Sequence, residues 1–409
     1  MAPIPPSDEA PGAIPRLLHA AVTGLSQRHH VTVVTVAGPE PRELEMAERL
    51  PASGVDAHIV RRAAAPAPWQ RWRRRFRLAW GWVGRRLPWR TVWFYEPEVQ
   101  RLVERLTGEH EFDVIAVEDN AMAIYRYPPG IPAVLTEHEV RRARRWRLPD
   151  PRDGAVVRRA LAEIDWQRWP GYQREAWGRF ALVQAFTQRD ADEIETAVPA
   201  LRGRVRVRPF GIDMPAAADP ANEVGDEILF VGNMTHHPNV DAALWLAEDV
   251  MPLIRAARPR AGLTIAGTSP PAQLRVLERE DVRVDGWVPD LRPLIERSRL
   301  MVAPIRVGGG MRMKVLEAMA LGKAVVTTPR GAEGLDVDGH APPVALADDA
   351  EGLARATLEL LADAERRGRL GRAARAFVEE YHASAAYARR LEHVYREAVA
   401  LADVAVRER

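Results

Sequence analysis

Short apolar runs rich in β-branched residues recur along the chain, each separated from the next by a stretch of helical periodicity. In the first half an amphipathic helix begins at Leu17 and leads through His29-His30 into the run Val31–Ala37. Val55–Val60, Asp113–Val117 and Ala133–Thr136 follow, with a helix over Glu96–Leu106. The second half repeats the rhythm: Glu227–Asn233, a helix over Val240–Arg258, Leu263–Gly267, Val282–Val288, Leu300–Ile305, a helix near Met311–Leu321, and Ala324–Thr328. Apolar runs of this length between turn signals read as buried strands, and strands alternating with helices build parallel α/β sheets. The pattern therefore predicts two doubly wound units in tandem with a cleft between them, and ligands beyond the carboxyl ends of the strands.

At 409 residues the chain is too long for one ordinary core and suits two domains of roughly 150–200 residues. Hydrophobic residues make up 47% and charged residues 28%, enough for both to bury a core. The Pro- and Ala-rich stretch Pro209–Asn222 reads as the linker. From Ala350 onward no strand signal occurs, so these helices are expected to cover a sheet or cross back over the hinge. The predicted division is 1–208, 209–385 and a C-terminal helix over 386–409.

No apolar run is long enough to span a bilayer, and Met1–Pro15 is polar and Pro-rich instead of signal-like, so the expected location is the cytoplasm. Cysteine is absent, which excludes disulfides, thiolate metal sites and a Cys nucleophile. Net charge is only +2, yet nearly every cation is arginine: the lysines are Lys314 and Lys323 alone. A lysine retained against that background marks a place for a compact ammonium in preference to a planar fork.

The most informative segment is Pro304–Gly334. A strand runs into three glycines, Gly308, Gly309 and Gly310, and a helix starts at once. Glycines allow a ligand close to the backbone, and the unpaired N–H groups of a first helical turn point at an anion; a diphosphate fits. Arg312 and Lys314 oppose the helix macrodipole there unless an anion or acid lies nearby. Glu317, one turn on, has two readings: an acceptor for a ribose diol, or an i, i+3 surface partner for Lys314.

Gly308–Pro329 with VLEAMALGKAVVTT, the strand FVGN at Phe230–Asn233, and VDGWVPDLRPLIERSRLMVAPI at Val284–Ile305 resemble the donor domain of glycosyltransferase family 4 (group 1), the retaining GT-B enzymes. The resemblance is strongest from about Val205 to Leu335 and continues more weakly through the N-terminal half. It implies an α/β fold of GT-B type: two Rossmann-like doubly wound domains facing across a cleft, the first for the acceptor and the second for a nucleoside-diphosphate sugar. Family members usually carry Glu, seven residues, and a second Glu. Here the second is Glu317, the implied ribose ligand, and the first position is Gly309. The family's diphosphate-binding Arg and Lys fall on Asn233 and Asn239, so Arg312 and Lys314 read as their replacements, because a pyrophosphate in a partly dry site needs charge-assisted donors. A subgroup of the family carries the same GGGxRxKxxE run. The implied donor set is Gly232, Asn233, Trp287, Val288, Gly308, Gly309, Gly310, Met311 and Glu317, with Trp287 and Val288 in the loop whose backbone holds the base. On the acceptor side the resemblance points by position to Glu118, where many relatives have His, and His138 is a second candidate; either orients or deprotonates an acceptor hydroxyl. Relatives begin with a strand before the Pro-rich loop, whereas this chain opens on that loop, with Gly12 at the phosphate-facing position. The expectation is a late start or a sheet short by one strand.

Between Arg61 and Arg90 stand ten arginines, no acids, and Trp69, Trp72, Trp80, Trp82 and Trp89. This composition suits an anionic membrane surface or a lipid-linked acceptor, a helix whose tryptophans pack on their own domain, or nucleic acid, although no nucleic-acid motif accompanies it. The expected activity is transfer of a sugar from a nucleotide sugar to an acceptor hydroxyl with retention, in glycan or glycoconjugate synthesis. No cofactor or metal is expected, because the Asp190 and Asp192 pair matches an Asp-x-Asp motif by spelling only. The rival readings are a GT-B sugar-nucleotide epimerase, a catalytically silent nucleotide-sugar-binding partner of another transferase, and a nucleic-acid-binding module.

Overall fold

The computed structural model describes residues 1–8, 10, 13–50, 54–63, 67–141, 156–308 and 312–407. It divides into two compact units, Met1–Arg208 with Ala388–Arg409, and Pro209–Tyr387. One boundary falls inside the C-terminal helix Ser384–Arg407.

The first unit carries β1 (Thr32–Ala37), β2 (Asp56–Arg61), β3 (Ile115–Glu118), β4 (Ala133–Thr136), β5 (Leu182–Ala185) and β6 (Val205–Val207). β1 pairs with β2, and β3 to β6 form a ladder in that order, all parallel. Met1 and Ala2 lie between the two sets: Ala2 N–H donates to Val34 O at 2.9 Å, and Glu118 N–H donates to Met1 O at 3.0 Å. Two residues thus bridge the two sets of strands. The strand order runs outward from this point on both sides, so Glu118 ends the strand next to the reversal. The central strands are buried along their whole length, as both-face coverage by helices requires. Trp169, Leu135 and Ile194 fill one face, and Val394 and Ala398 of the C-terminal helix pack on Val134 and Leu182.

The second unit carries β7 (Glu227–Val231), β8 (Gly262–Ala266), β9 (Val282–Asp285), β10 (Leu300–Ala303), β11 (Ala324–Thr327) and β12 (Ala345–Leu346). The sheet order is β12-β11-β10-β7-β8-β9, all parallel, with the build-up reversing between β7 and β10. That is the dinucleotide-fold order, and its switch point lies between the first and fourth strands of the unit. Ile228, Phe230, Val302 and Val326 lie at the centre of the core.

Several predicted elements are shorter than their apolar runs. Gly232–Asn233 and Gly286–Val288 leave the sheet as loops, and the helix expected over Val240–Arg258 is His237–Trp245, a wider π turn at Leu246–Val250, and Met251–Ala257. Pro252 supplies no N–H to the ladder, which accounts for the widened turn before it. β5, β6 and β12 were not anticipated. Gln184 interrupts the first, and the others are too short to show a period.

Lys323 lies away from the glycine loop in function. Its ammonium is buried and donates to Glu223 Oε1 at 3.0 Å, Glu296 O at 2.9 Å and Ser298 O at 2.9 Å. Three donors on one small atom meet three acceptors, an arrangement a planar guanidinium does not fit. Burial pulls its pKa below the ordinary lysine value, and the Glu223 carboxylate partly restores it. Glu223 Oε2 also takes Arg299 at 3.0 Å and Arg367 at 3.2 Å. Lys323→Met therefore strands two carbonyls but leaves the carboxylate paired, and is expected to cost about 2 kcal/mol in urea unfolding. An unchanged midpoint would show that the knot adds nothing net.

Candidate active site

The switch point of the second unit is framed by two loops, one after β7 and one after β10. After β7, Asn233 Oδ1 accepts from Thr235 N–H at 3.0 Å, Thr235 Oγ1 at 2.8 Å and Thr268 Oγ1 at 2.8 Å, an Asx-type turn that fixes the loop. Asn239 Nδ2 donates to Asn233 O at 2.8 Å. Asn233 and Asn239 therefore shape the loop. Gly267 presses so closely on it that a Cβ there would lie 1.6 Å from Gly232 O.

After β10 the chain reaches Gly308 with φ +85°, where a side chain would be strained and would also meet Pro238 Cγ at 2.5 Å. Gly308 thus lies against the first turn of the helix His237–Trp245. Arg306, which the sequence reading overlooked, clamps the two together: Nε and Nη2 donate to Asp241 at 2.8 and 3.0 Å, and the guanidinium sits 4.7 Å from the Trp245 ring centre. The hydrogen bonds from Arg306 hold the Asp241 carboxyl below its usual range. The sequence signal was there, an acid and an aromatic at i and i+4 on one helix, but its partner lies 65 residues on.

The helix following the glycines runs Met313–Ala320, with Arg312 at its N-cap position. Arg312 Nη2 reaches Gly308 O at 3.4 Å and Arg330 O at 3.5 Å, and Nε reaches Arg330 O at 3.4 Å. These are long contacts, weak by the usual distance dependence, which anionic oxygens would outcompete. Lys314 Nζ donates to Glu317 Oε2 at 2.9 Å. The i, i+3 pair is formed, and Glu317 is largely buried while Lys314 is half-exposed. In the loop after β9, Trp287 is exposed and Val288 half-buried. Gly12, Gly309, Gly310 and Met311 fall outside the described residues.

In the first unit Glu118 and His138 are brought together at the carboxyl ends of β3 and β4. His138 Nε2 is 3.1 Å from Glu118 Oε2, and Glu118 Oε1 accepts from Thr136 Oγ1 at 3.0 Å. The imidazole stands edge-on to Phe186 at 5.3 Å. Its Nδ1 is buried with no hydrogen-bond partner among the described residues. Burial alone would push the His138 pKa down, but the Glu118 bond and the negative field of Glu118, Asp119 and Glu137 prevail and hold it above its ordinary value.

Two neighbours here carried no sequence signal. Asp119 has φ +73°, stabilised by its carboxylate accepting from Ala121 N–H at 2.8 Å and Arg90 Nη2 at 2.6 Å, and it turns the chain sharply after Glu118. Glu137 is buried, which pushes its carboxyl up to about 7 against the bonds from Trp177 Nε1 and Asn120 Nδ2, both at 2.7 Å. Asp190 and Asp192 lie within the helix Gln188–Ala197. Among the described residues no group of three or more His, Asp or Glu is placed to hold a metal ion.

Residues 225–363 match the sequence model of the family "Glycosyl transferases group 1". A stretch of 131 residues, 30% of the chain, is 27% identical to an uncharacterised 44.6 kDa protein in the cps region of Klebsiella pneumoniae, and spans about a third of that protein (34%). Among solved structures, sucrose-phosphate synthase from Thermosynechococcus elongatus is similar over 98% of this chain and 96% of its own, with TM-score 0.59 and 16% identity. HepE of Anabaena, in complex with UDP-glucose, is similar over 96% of this chain and 98% of its own, with TM-score 0.59 and 14% identity. TarM matches with TM-score 0.55 and 13% identity over 72% of this chain and 57% of its own length. At such identities the likeness is one of fold, and the fold is the GT-B type with two Rossmann-like units.

Proposed function

We propose that the chain is a glycosyltransferase that holds a nucleoside-diphosphate sugar on its second unit and transfers the sugar to an acceptor hydroxyl bound on its first, with retention at the anomeric carbon. The observation that carries this reading is the switch point of the second unit, framed by Gly232–Asn233 and Ile305–Gly308, inside the stretch that matches the glycosyl transferases group 1 family. Ligands of doubly wound sheets bind there. The transition state of glycosyl transfer builds negative charge on the departing diphosphate. Arg312, Lys314, the backbone of Gly308–Met311 and the helix end behind them are the groups that stabilise it. Glu317 takes the ribose diol, and the loop at Trp287–Val288 takes the base. Binding requires Lys314 to share its charge between Glu317 and the phosphates. Glu118 orients His138, which handles the acceptor proton. No metal is assigned, because two cations serve the leaving group. The similarity to a protein in a cps region supports a place in polysaccharide synthesis. No helix of the described residues is long and apolar enough to cross a membrane.

A thermal-shift series with UDP-glucose and other nucleotide sugars tests the reading, because a ligand that binds only the folded state raises the unfolding temperature. A donor should stabilise the wild type, and Glu317→Ala should weaken its binding by about 1–3 kcal/mol through the loss of bonds to buried hydroxyls. Equal affinity of the variant would leave Glu317 as no more than the partner of Lys314. Hydrolysis of the bound donor by the purified protein would argue against a silent partner, and conversion without any acceptor to an isomeric nucleotide sugar would favour an epimerase.

A further inference from the structure

The helix Pro68–Ala79 and the wider turn Trp80–Gly84 that continues it are fixed to the first unit by one face only. Leu78 and Gly81 are buried, and a Cβ on Gly81 would lie 2.6 Å from Val92 Cγ1. Arg74 lies 4.1 Å over the Trp93 ring, and Arg77 Nη2 is 3.3 Å from Glu96 Oε2. The opposite face carries Trp69, Trp72, Phe76, Trp80 and Val83, exposed by 59, 72, 71, 61 and 64% respectively. Their spacing of three or four residues lines them up in a single stripe, since a helix turns about 100° per residue. Arg73 flanks the stripe on one side and Arg75 on the other, both exposed, and Arg71 is exposed in the first turn of the helix. The chain has no acid between Arg61 and Tyr95.

We propose that this stripe docks on an anionic bilayer surface, with the aromatic residues entering the headgroup and acyl boundary and the flanking guanidiniums meeting lipid phosphates. The order of the residues selects this occupant. A large exposed apolar patch on a soluble unit marks an interaction site. Here it forms the centre of a basic rim, the arrangement of a helix lying in the interface plane. A nucleic-acid surface would set the cations centrally along the phosphate track. The charge is complementary to acidic lipid and its reach falls off within about 10 Å at 0.1 M salt, so binding is expected to weaken as salt rises.

Sedimentation of the full chain with vesicles of phosphatidylcholine alone, or with about one quarter phosphatidylglycerol, tests the proposal. The wild type should partition at least about tenfold more strongly onto the anionic vesicles. Trp72→Ser with Phe76→Ser should lower that binding about tenfold or more, and Arg71→Gln, Arg73→Gln and Arg75→Gln together by about a hundredfold. These side chains are exposed, so the unfolding midpoint should not change, which separates lost docking from lost folding. Equal partition onto both vesicles, or variants that bind as the wild type does, would overturn the proposal. So would a single-stranded oligonucleotide that binds more tightly than the vesicles at the same salt. Light scattering that shows a wild-type dimer and monomeric variants without vesicle binding would assign the stripe to a second copy of the chain instead.

Discussion

Arg312→Ala should lower kcat by about 10²–10³-fold while leaving the unfolding midpoint nearly unchanged. The two halves of that expectation rest on different facts. Within the unit the guanidinium contacts to the carbonyls of Gly308 and Arg330 are long, 3.4–3.5 Å, and weak by the usual distance dependence, so their loss alone costs little folding energy. On the proposed reading its charge faces a diphosphate whose own charge grows as the glycosidic bond lengthens. A donor that strengthens in the transition state lowers the barrier, whereas one that binds both states equally lowers only KM. Arg312→Lys should recover part of the loss, since the charge returns but the fork that reaches two oxygens does not. The measurement is steady-state kinetics with the nucleotide sugar that stabilises the wild type. A kcat within about threefold of the wild type would remove Arg312 from the leaving-group site.

The parallel sheets were legible because both-face burial writes itself as unbroken apolar runs, and Leu300–Ala303 or Ala324–Thr327 admit no other reading. The sheet order was not legible, since nothing in the run Glu227–Val231 says that it pairs with Leu300–Ala303 instead of a nearer strand. The glycines and the two cations after them could be proposed from the sequence as one group because they are contiguous. The Arg306 clamp on Asp241 and Trp245 was hidden by separation along the chain. Lys323 shows the limit of reading by residue type: its rarity did signal a compact ammonium, but the neighbours that use it, Glu223 and the carbonyls of Glu296 and Ser298, belong to the structural core. Glu118 and His138 were separate candidates in the sequence and become one device only because β3 and β4 are neighbours in register.

That device makes the second large prediction. His138→Ala should reduce kcat by about 10²–10⁴-fold if the imidazole handles the acceptor proton. Its Nε2 is engaged by Glu118, so on the proposed reading Nδ1 is the atom that accepts, and the ring must be neutral to do so. The folded-state pKa lies above the ordinary 6.5, so activity should rise as pH climbs through that raised value and be lost on its acid side. Stability runs the other way. A histidine whose pKa is raised on folding contributes stability that is fully present below its unfolded value and fades as pH rises through the folded one. The pair should therefore give up part of its stabilising effect over the same window in which activity appears. Glu118→Gln separates a proton-handling role from a structural one: without the carboxylate, burial dominates, the histidine pKa falls, and the acid limb of the pH–rate profile should move to lower pH as the plateau drops. A variant that loses stability but keeps the wild-type profile would make the pair a structural contact and move the search for the acceptor base elsewhere on the first unit.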